Sequence, residues 1–188
     1  AGAEASNVGI GANALLAITT GTDNVAIGIK ALEALTDSQY NVGIGRQAAF
    51  KITTGDKNIS IGGGTLALAT TASNIIAIGH DAAYTVSAGN TASDGTIAIG
   101  ASALNALTTG AANTAVGFEA LKTEDAGPGN TALGYQALET LNNDDGYNVA
   151  IGHNAMQGAT TAYYNICIGK DTGTAMAAAV PSCVIIGH

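Results

Sequence analysis

The sequence lacks tryptophan, and it is poor in the bulky side chains that fill most globular cores. Aromatic residues make up only 4% of its 188 residues, whereas hydrophobic residues of all kinds make up 47%. A core with this composition has to be built largely from Ala, Val and Ile. Such small side chains suit thin coils better than a thick globular interior.

Charged residues are also scarce, at 11%, and their balance is acidic, with a net charge of −8. Only six residues are Lys or Arg, which argues against a nucleic-acid partner, because phosphate backbones are bound by basic side chains. No apolar run approaches the roughly 18 residues of a transmembrane helix, which argues against membrane insertion. The chain begins with Ala1 and shows no signal-peptide pattern, so we expect a mature or excised piece.

Against this background, one five-residue motif recurs eleven times, reading Asn, β-branched, small, aliphatic, Gly. Successive motif glycines lie 17 residues apart, except for two intervals of 18 and one of 21. A short fixed period is typical of a solenoid. We therefore predict a single all-β domain over residues 1–188, a parallel β-solenoid or β-roll of about eleven 17-residue coils. The coils end near Gly11, Gly28, Gly45, Gly62, Gly79, Gly100, Gly117, Gly134, Gly152, Gly169 and Gly187.

The motif positions predict how each strand packs. Side chains alternate along a strand, so the β-branched and aliphatic positions share one side, and the small position points to the other. This pattern predicts a strand buried on both faces, with close packing on the small side. The Asn is expected to bond to its counterpart about 4.8 Å away, and to tolerate a left-handed corner. The Gly marks the other corner, where positive φ is needed.

The rest of each coil leaves two alternatives. Ala recurs three residues after the Gly, and aliphatic residues recur four and seven after it, which is the spacing of a helical stripe. One short helical turn per coil and a second, bent strand explain this spacing equally well. The longest interval, between Gly79 and Gly100, predicts a loop around residues 87–95 that does not interrupt the stack.

Residues capable of chemistry do not form a recognisable catalytic motif. G-x-S-x-G, Walker and C-x-x-C patterns are absent, so we expect no enzyme activity and no cofactor. His80, His153 and His188 each follow a motif Gly, but in coils that are not adjacent, so we expect no metal site within one chain. Cys167 and Cys183 fall in the last two coils, where two small buried thiols are favoured over a disulfide.

Tyrosines are the candidate ligand contacts. Tyr147 and Tyr164 directly precede the motif Asn in neighbouring coils, and Tyr163 adjoins them. An aromatic ladder along the loop edge is the favoured interpretation. The alternative is a glycan platform, because tyrosine presents both an apolar face and a hydroxyl group.

The motif also carries a family resemblance. The string N-V-A-I-G at residues 24–28 and 148–152 resembles the head repeats of trimeric autotransporter adhesins. The strings NTAVGFEAL at 113–121 and NTALGYQAL at 130–138 are similar to repeats of phage tail fibres and related surface fibres. The resemblance covers essentially residues 7–188. It implies a parallel β-roll, three copies of which pack side by side into a fibre, and it implies no catalytic residues.

Taken together, these features predict a structural, rod-forming module of an extracellular fibre on a virion or cell surface. We expect a homotrimer whose loops contact a cell-surface glycan or a protein receptor. One alternative is a subunit that polymerises end to end into a filament, because neither end of the repeat carries a polar cap. The other alternative is a carbohydrate-binding module that uses the tyrosine edge.

Overall fold

Each repeat contributes one short strand to a single parallel sheet, as the sequence predicts. This computed structural model describes residues 6–86, 94–174, 176 and 182–187. Its eleven strands lie across the sheet in chain order. They are β1 (Val8–Ile10), β2 (Val25–Ile27), β3 (Val42–Ile44), β4 (Ile59–Ile61), β5 (Ile76–Ile78), β6 (Ile97–Ile99), β7 (Thr114–Val116), β8 (Thr131–Leu133), β9 (Val149–Ile151), β10 (Ile166–Ile168) and β11 (Val184–Ile186). The chain is therefore an all-β parallel β-solenoid, and none of the described residues belongs to a helix. Consequently, this part of the chain offers no helix that could span a membrane.

Equivalent positions of successive coils pair directly across the sheet. Ile27 lies opposite Ile44, and this register, repeated along the stack, confirms the predicted row of aliphatic residues. The stack also continues across the longest interval, because Ile76 of β5 pairs with Ile97 of β6. The loop predicted for that interval falls mostly on residues 87–93, which lie outside the described residues.

The small residue in the middle of each strand faces the interior of the coil. Ala26, Ala98 and Cys167, which occupy this position, are fully buried. A Cβ atom added to Gly43 would stand 2.9 Å from Leu32 Cγ, in the second limb of the preceding coil. The predicted close packing on the small side is thus confirmed. Within one chain only the small side is buried, because such a thin coil has a single interior, and the larger residues of each strand point away from it. Burial of the second face would need a partner chain.

The second limb is neither a helical turn nor a strand. It is a run of turns in which the second and fourth residues after the corner glycine have positive φ, as at Asn13 (59°) and Leu15 (53°). A helix needs negative φ at every position, so this alternation excludes one. Leu15 N donates to Ala31 O at 3.1 Å, and Ile18 N donates to Leu15 O at 3.2 Å. These bonds and the burial of the fourth residue offset a left-handed backbone cost of about 1–2 kcal/mol per residue.

The motif asparagines form the predicted ladder inside the solenoid. Asn41 is fully buried, and its backbone N donates to Asn24 Oδ1 at 2.9 Å. Its Nδ2 donates to Gly55 O at 2.9 Å, so the side chain also ties the strand to the adjoining loop. Where Ile75 replaces Asn, its backbone N still donates to the Asn58 Oδ1 below it, at 3.1 Å.

The left-handed corner lies one residue before the expected position. Asn41 itself has no positive φ, whereas Tyr40, directly before it, has a φ of 60°. The prediction that the Asn occupies the left-handed conformation is therefore wrong. The preceding residue turns the chain, and this turn carries the Asn side chain into the interior, where its amide is used.

Candidate functional site

The outward residues of the strands form one continuous apolar surface, which we call the aliphatic face. Across the eleven strands of the described chain, only Thr114 and Thr131 depart from aliphatic residues, and none is charged. The members are Val8, Ile10, Val25, Ile27, Val42, Ile44, Ile59, Ile61, Ile76, Ile78, Ile97, Ile99, Thr114, Val116, Thr131, Leu133, Val149, Ile151, Ile166, Ile168, Val184 and Ile186. Eleven strands at about 4.8 Å spacing make this face about 50 Å long.

The aliphatic face is large for a surface left in water. Leu133 is 46% exposed and Ile166 is 38% exposed, although both lie within the stack. With two outward side chains about 7 Å apart on each strand, the face covers on the order of 500 Å². The largest contiguous apolar patch on a typical monomeric protein covers about 300–600 Å² and is often functional, so this face lies near the upper end of that range. This face is therefore the strongest candidate for an association site.

The structure brings the three candidate tyrosines together as a ladder. The rings of Tyr147 and Tyr164 stack with centroids 5.3 Å apart and planes 3° apart, and Tyr163 meets Tyr164 edge-on at 5.9 Å. A Cβ atom on Gly129 would stand 2.8 Å from Tyr147 Cδ1, so the other face of that ring lies against Gly129. Both faces of Tyr147 are therefore in use, which leaves its exposed edge and hydroxyl group for any contact with a sugar.

A second aromatic stack was not predicted from the sequence. Phe118, Tyr135 and His153 follow the corner glycine in three successive coils, and their rings stack at 5.3 Å and 5.0 Å. The signal was present, because all three occupy the same position of the repeat. Tyr135 is covered on both faces, so the stack stiffens this edge of the solenoid.

The described histidines and cysteines do not assemble into a metal site, and His188 lies outside the described residues. Among the described residues, no three His, Cys, Asp or Glu side chains lie close enough to hold a metal ion together. His80 Nδ1 lies 3.1 Å from Asp81 Oδ2. Cys167 and Cys183 are free thiols, and burial raises the pKa of the Cys167 thiol above its usual value, which keeps it protonated.

One buried carboxylate stands out electrostatically. Glu124 occupies the seventh position after the corner glycine, where Leu107 and Leu141 fill the core of other coils, and it is fully buried. Its Oε1 accepts hydrogen bonds from Gly127 N at 2.6 Å and Ala126 N at 3.1 Å. Burial raises the pKa of this carboxyl above its usual value, and the two backbone donors only partly oppose the shift. Glu124 therefore holds the loop at residues 126–127 through hydrogen bonds, while burial destabilises its charged form.

Known proteins add no family to this geometry. No family model, curated protein or solved structure matches the chain. The resemblance to fibre repeats consequently rests on the motif residues, and the structure supports its coarser implication, a parallel β-solenoid with repeats of about 17 residues.

Proposed function

We propose that this chain is a structural module of an extracellular fibre, in which three copies associate side by side through their aliphatic faces. The observation that carries the proposal is the aliphatic face itself, a charge-free strip along the whole sheet. A fibre module needs a surface of this kind, because lateral contacts have to repeat along its length.

The size of the face is adequate for stable association. At about 25 cal/mol per Å², burying on the order of 500 Å² from each copy contributes on the order of 10 kcal/mol per copy. Association costs about 4–15 kcal/mol in lost translational and rotational freedom, and it is shared among several contacts in a trimer. No charged group has to be stripped of water on this face, so the desolvation penalty is small. The three-fold arrangement is the one that the motif resemblance implies.

The interior of the coil supplies the stiffness that a rod requires. Backbone hydrogen bonds join neighbouring coils at the strand, at the corner and along the turn limb, for example Gly45 N to Ile27 O at 2.7 Å and Gln47 N to Ile29 O at 2.9 Å. The Asn ladder adds side-chain bonds in the same direction. Pulling the rod along its axis would stretch all of these bonds at once, and bending it would stretch those on the convex side, which supports a mechanical role.

Light scattering at micromolar concentration tests the association. We expect a species of about three times 18.4 kDa for the wild-type chain. Changing Ile76 and Ile97 to Glu places like charges side by side on adjacent strands of the face and should yield a folded monomer. The matched control changes Thr20 and Thr54, exposed loop residues, to Glu, which adds the same charge elsewhere and should leave the trimer intact.

Two outcomes would contradict the proposal. A folded wild-type monomer would show that the face is stable in water by itself, and circular dichroism of each variant confirms that the coil is retained. A mass that keeps rising with concentration would favour the end-to-end filament. Immunolabelling of intact source cells or virions tests the location, since staining that appears only after permeabilisation is incompatible with an extracellular fibre.

A further inference from the structure

A cleft of about 550 Å³ interrupts the outer surface of the turn limb, and we call it the glycine cleft. Its floor belongs to the fourth coil, where Gly63, Gly64 and Ala67 add little side-chain volume and Leu68 contributes the one large side chain. Its walls belong to the third and fifth coils, whose backbones lie about 9.6 Å apart, twice the strand spacing. The wall residues used below are Arg46, Gln47, Phe50, Lys51, His80, Asp81 and Tyr84.

The fold does not require the two floor glycines. Gly63 has no left-handed φ, and a Cβ atom there would stand 3.6 Å from His80 Cδ2, an ordinary contact. Other coils place Ile29 or Phe118 at the same position. Gly64 has a φ of 69°, but Lys30 adopts a φ of 61° at the equivalent position. Gly63 therefore creates space in the cleft, whereas Gly64 makes room for the Asp81 carboxylate, because a Cβ atom there would overlap Asp81 Oδ1.

The cleft concentrates positive charge on an acidic chain. Arg46 and Lys51, two of the six basic residues, line it, and the one carboxylate in its lining, Asp81, faces His80 at 3.1 Å. Among the described residues, no carboxylate pairs with Arg46 or Lys51. Two unpaired cations at the mouth of one cleft favour an anionic ligand.

The remaining wall residues favour a sugar as the carrier of that negative charge. Phe50 and Tyr84 contribute aromatic rings to opposite walls, and Asp81 and Gln47 contribute groups that bond to hydroxyls. The volume falls within the roughly 300–1,000 Å³ of small-molecule sites. A sugar ring that carries both hydroxyls and a carboxylate matches these groups. The aromatic wall contacts its apolar face, the carboxylate and amide bond to its hydroxyls, and the two free cations bind its carboxylate.

We propose that the glycine cleft binds a carboxylate-bearing sugar of the uronic or sialic acid class. Arg46 and Lys51 hold the carboxylate, and the sugar ring lies in the cleft between Phe50 and Tyr84, above the Asp81 side chain that covers Gly64. The site is complete within one chain and does not depend on the fibre role. It also stays open in a side-by-side trimer, because the turn limb and the aliphatic face lie on opposite sides of the core, in which Leu32 packs under Gly43.

Amide NMR titration of the full chain, in whatever state of association it adopts, tests the site. The probes are glucuronate, N-acetylneuraminate, neutral glucose and acetate. We expect saturable shifts at the Gly63 and Gly64 amides with at least one acidic sugar, at a Kd of about 1 mM or tighter. Glucose and acetate should bind at least about tenfold more weakly, because each lacks either the charge or the ring.

Variants locate the binding. Gly63→Leu fills the floor and Arg46→Gln removes a cation, and each should weaken sugar binding by at least about tenfold. The matched controls are Ala12→Leu, at the same repeat position in the first coil, and Lys57→Ala, a lysine outside the cleft. Unchanged binding in Gly63→Leu, no saturable shift with either acidic sugar, or equal binding of acetate would each overturn the proposal. Intact spectra of each variant exclude unfolding as the cause.

Discussion

A Cβ atom on Gly28 would stand 2.5 Å from the carbonyl oxygen of Gly45, its counterpart in the next coil. Gly28 has a φ of 131°, and all eleven corner glycines lie between 127° and 146°. We expect Gly28→Ala to lower the free energy of unfolding by at least about 2 kcal/mol, because it adds backbone strain to a contact shorter than van der Waals distance. Urea denaturation measures the change.

The control for this prediction is Gly63→Ala. This glycine has ordinary space for a Cβ atom and no left-handed φ, so the variant should keep the wild-type stability or gain about 0.4–1 kcal/mol by restricting the unfolded chain. If Gly63→Ala lost as much stability as Gly28→Ala, the distinction between fold-required and space-making glycines would be wrong.

The Asn ladder predicts a second stability effect. Asn41→Ala removes the Oδ1 that accepts from Asn58 N at 3.0 Å and the Nδ2 that donates to Gly55 O at 2.9 Å. Because buried backbone groups are left unpaired, this variant should lower the free energy of unfolding by about 1–3 kcal/mol or more. Asn142→Ala, at an exposed loop position, should change the free energy of unfolding by less than about 0.5 kcal/mol. Equal losses in the two variants would contradict a special role for the buried ladder.

The small column in the middle of the strands predicts sensitivity to overpacking. Ala98 is fully buried and lies between Ala77 and Ala115 in the sheet. We expect Ala98→Leu to destabilise the chain by about 1–3 kcal/mol, the usual cost of forcing extra methylenes into a packed core. Ala12→Leu adds the same volume at an exposed corner and should be nearly neutral. A wild-type melting temperature for Ala98→Leu would show that the interior has free space.

The strand limb of this fold was predictable because its constraints repeat in every coil. Alternation around the small position identifies the inward residue, as at Ala98, and the invariant Gly identifies a corner that excludes other residues. The turn limb was not predictable in the same way. Leu15 and Leu32 hold left-handed backbones that their intrinsic preferences oppose, and hydrogen bonds along the stack together with burial of these side chains make this conformation favourable.

The tyrosine ladder and the glycine cleft also differ in how far the sequence predicts them. The Tyr147 and Tyr164 ladder follows from one shared repeat position, so it was predictable, and the stacking is confirmed. The glycine cleft arises because Gly63 and Gly64 have no side chains at positions where neighbouring coils have them. In the sequence these two residues extend the motif glycine, and only the arrangement of Arg46 and His80 on the flanking coils reveals an opening.

Buried Glu124 predicts an unusual pH dependence. Its pKa is raised in the folded chain above the ordinary value of 4.5, so the folded state binds more protons than the unfolded state once the pH exceeds that value. The contribution of this group is therefore fully favourable below pH 4.5 and is lost as the pH rises through the folded pKa. Glu124→Gln keeps the Oε1 acceptor for Gly127 N and has no charge to bury. We expect the stability of this variant relative to wild type to increase from pH 4 to pH 7.

Glu119 provides the control of opposite sign. Hydrogen bonds from Lys122 and Gln136 lower its pKa, so its contribution is present above pH 4.5 and is lost as the pH falls through the folded pKa. Glu119→Gln should therefore lose stability relative to wild type as the pH rises, and only slightly, since the pair is close to solvent. Thermal melts of the two variants and the wild type from pH 4 to pH 7 measure both trends. A stability difference for Glu124→Gln that does not change with pH would mean that the carboxylate is stabilised by its backbone donors as fully as it is by water.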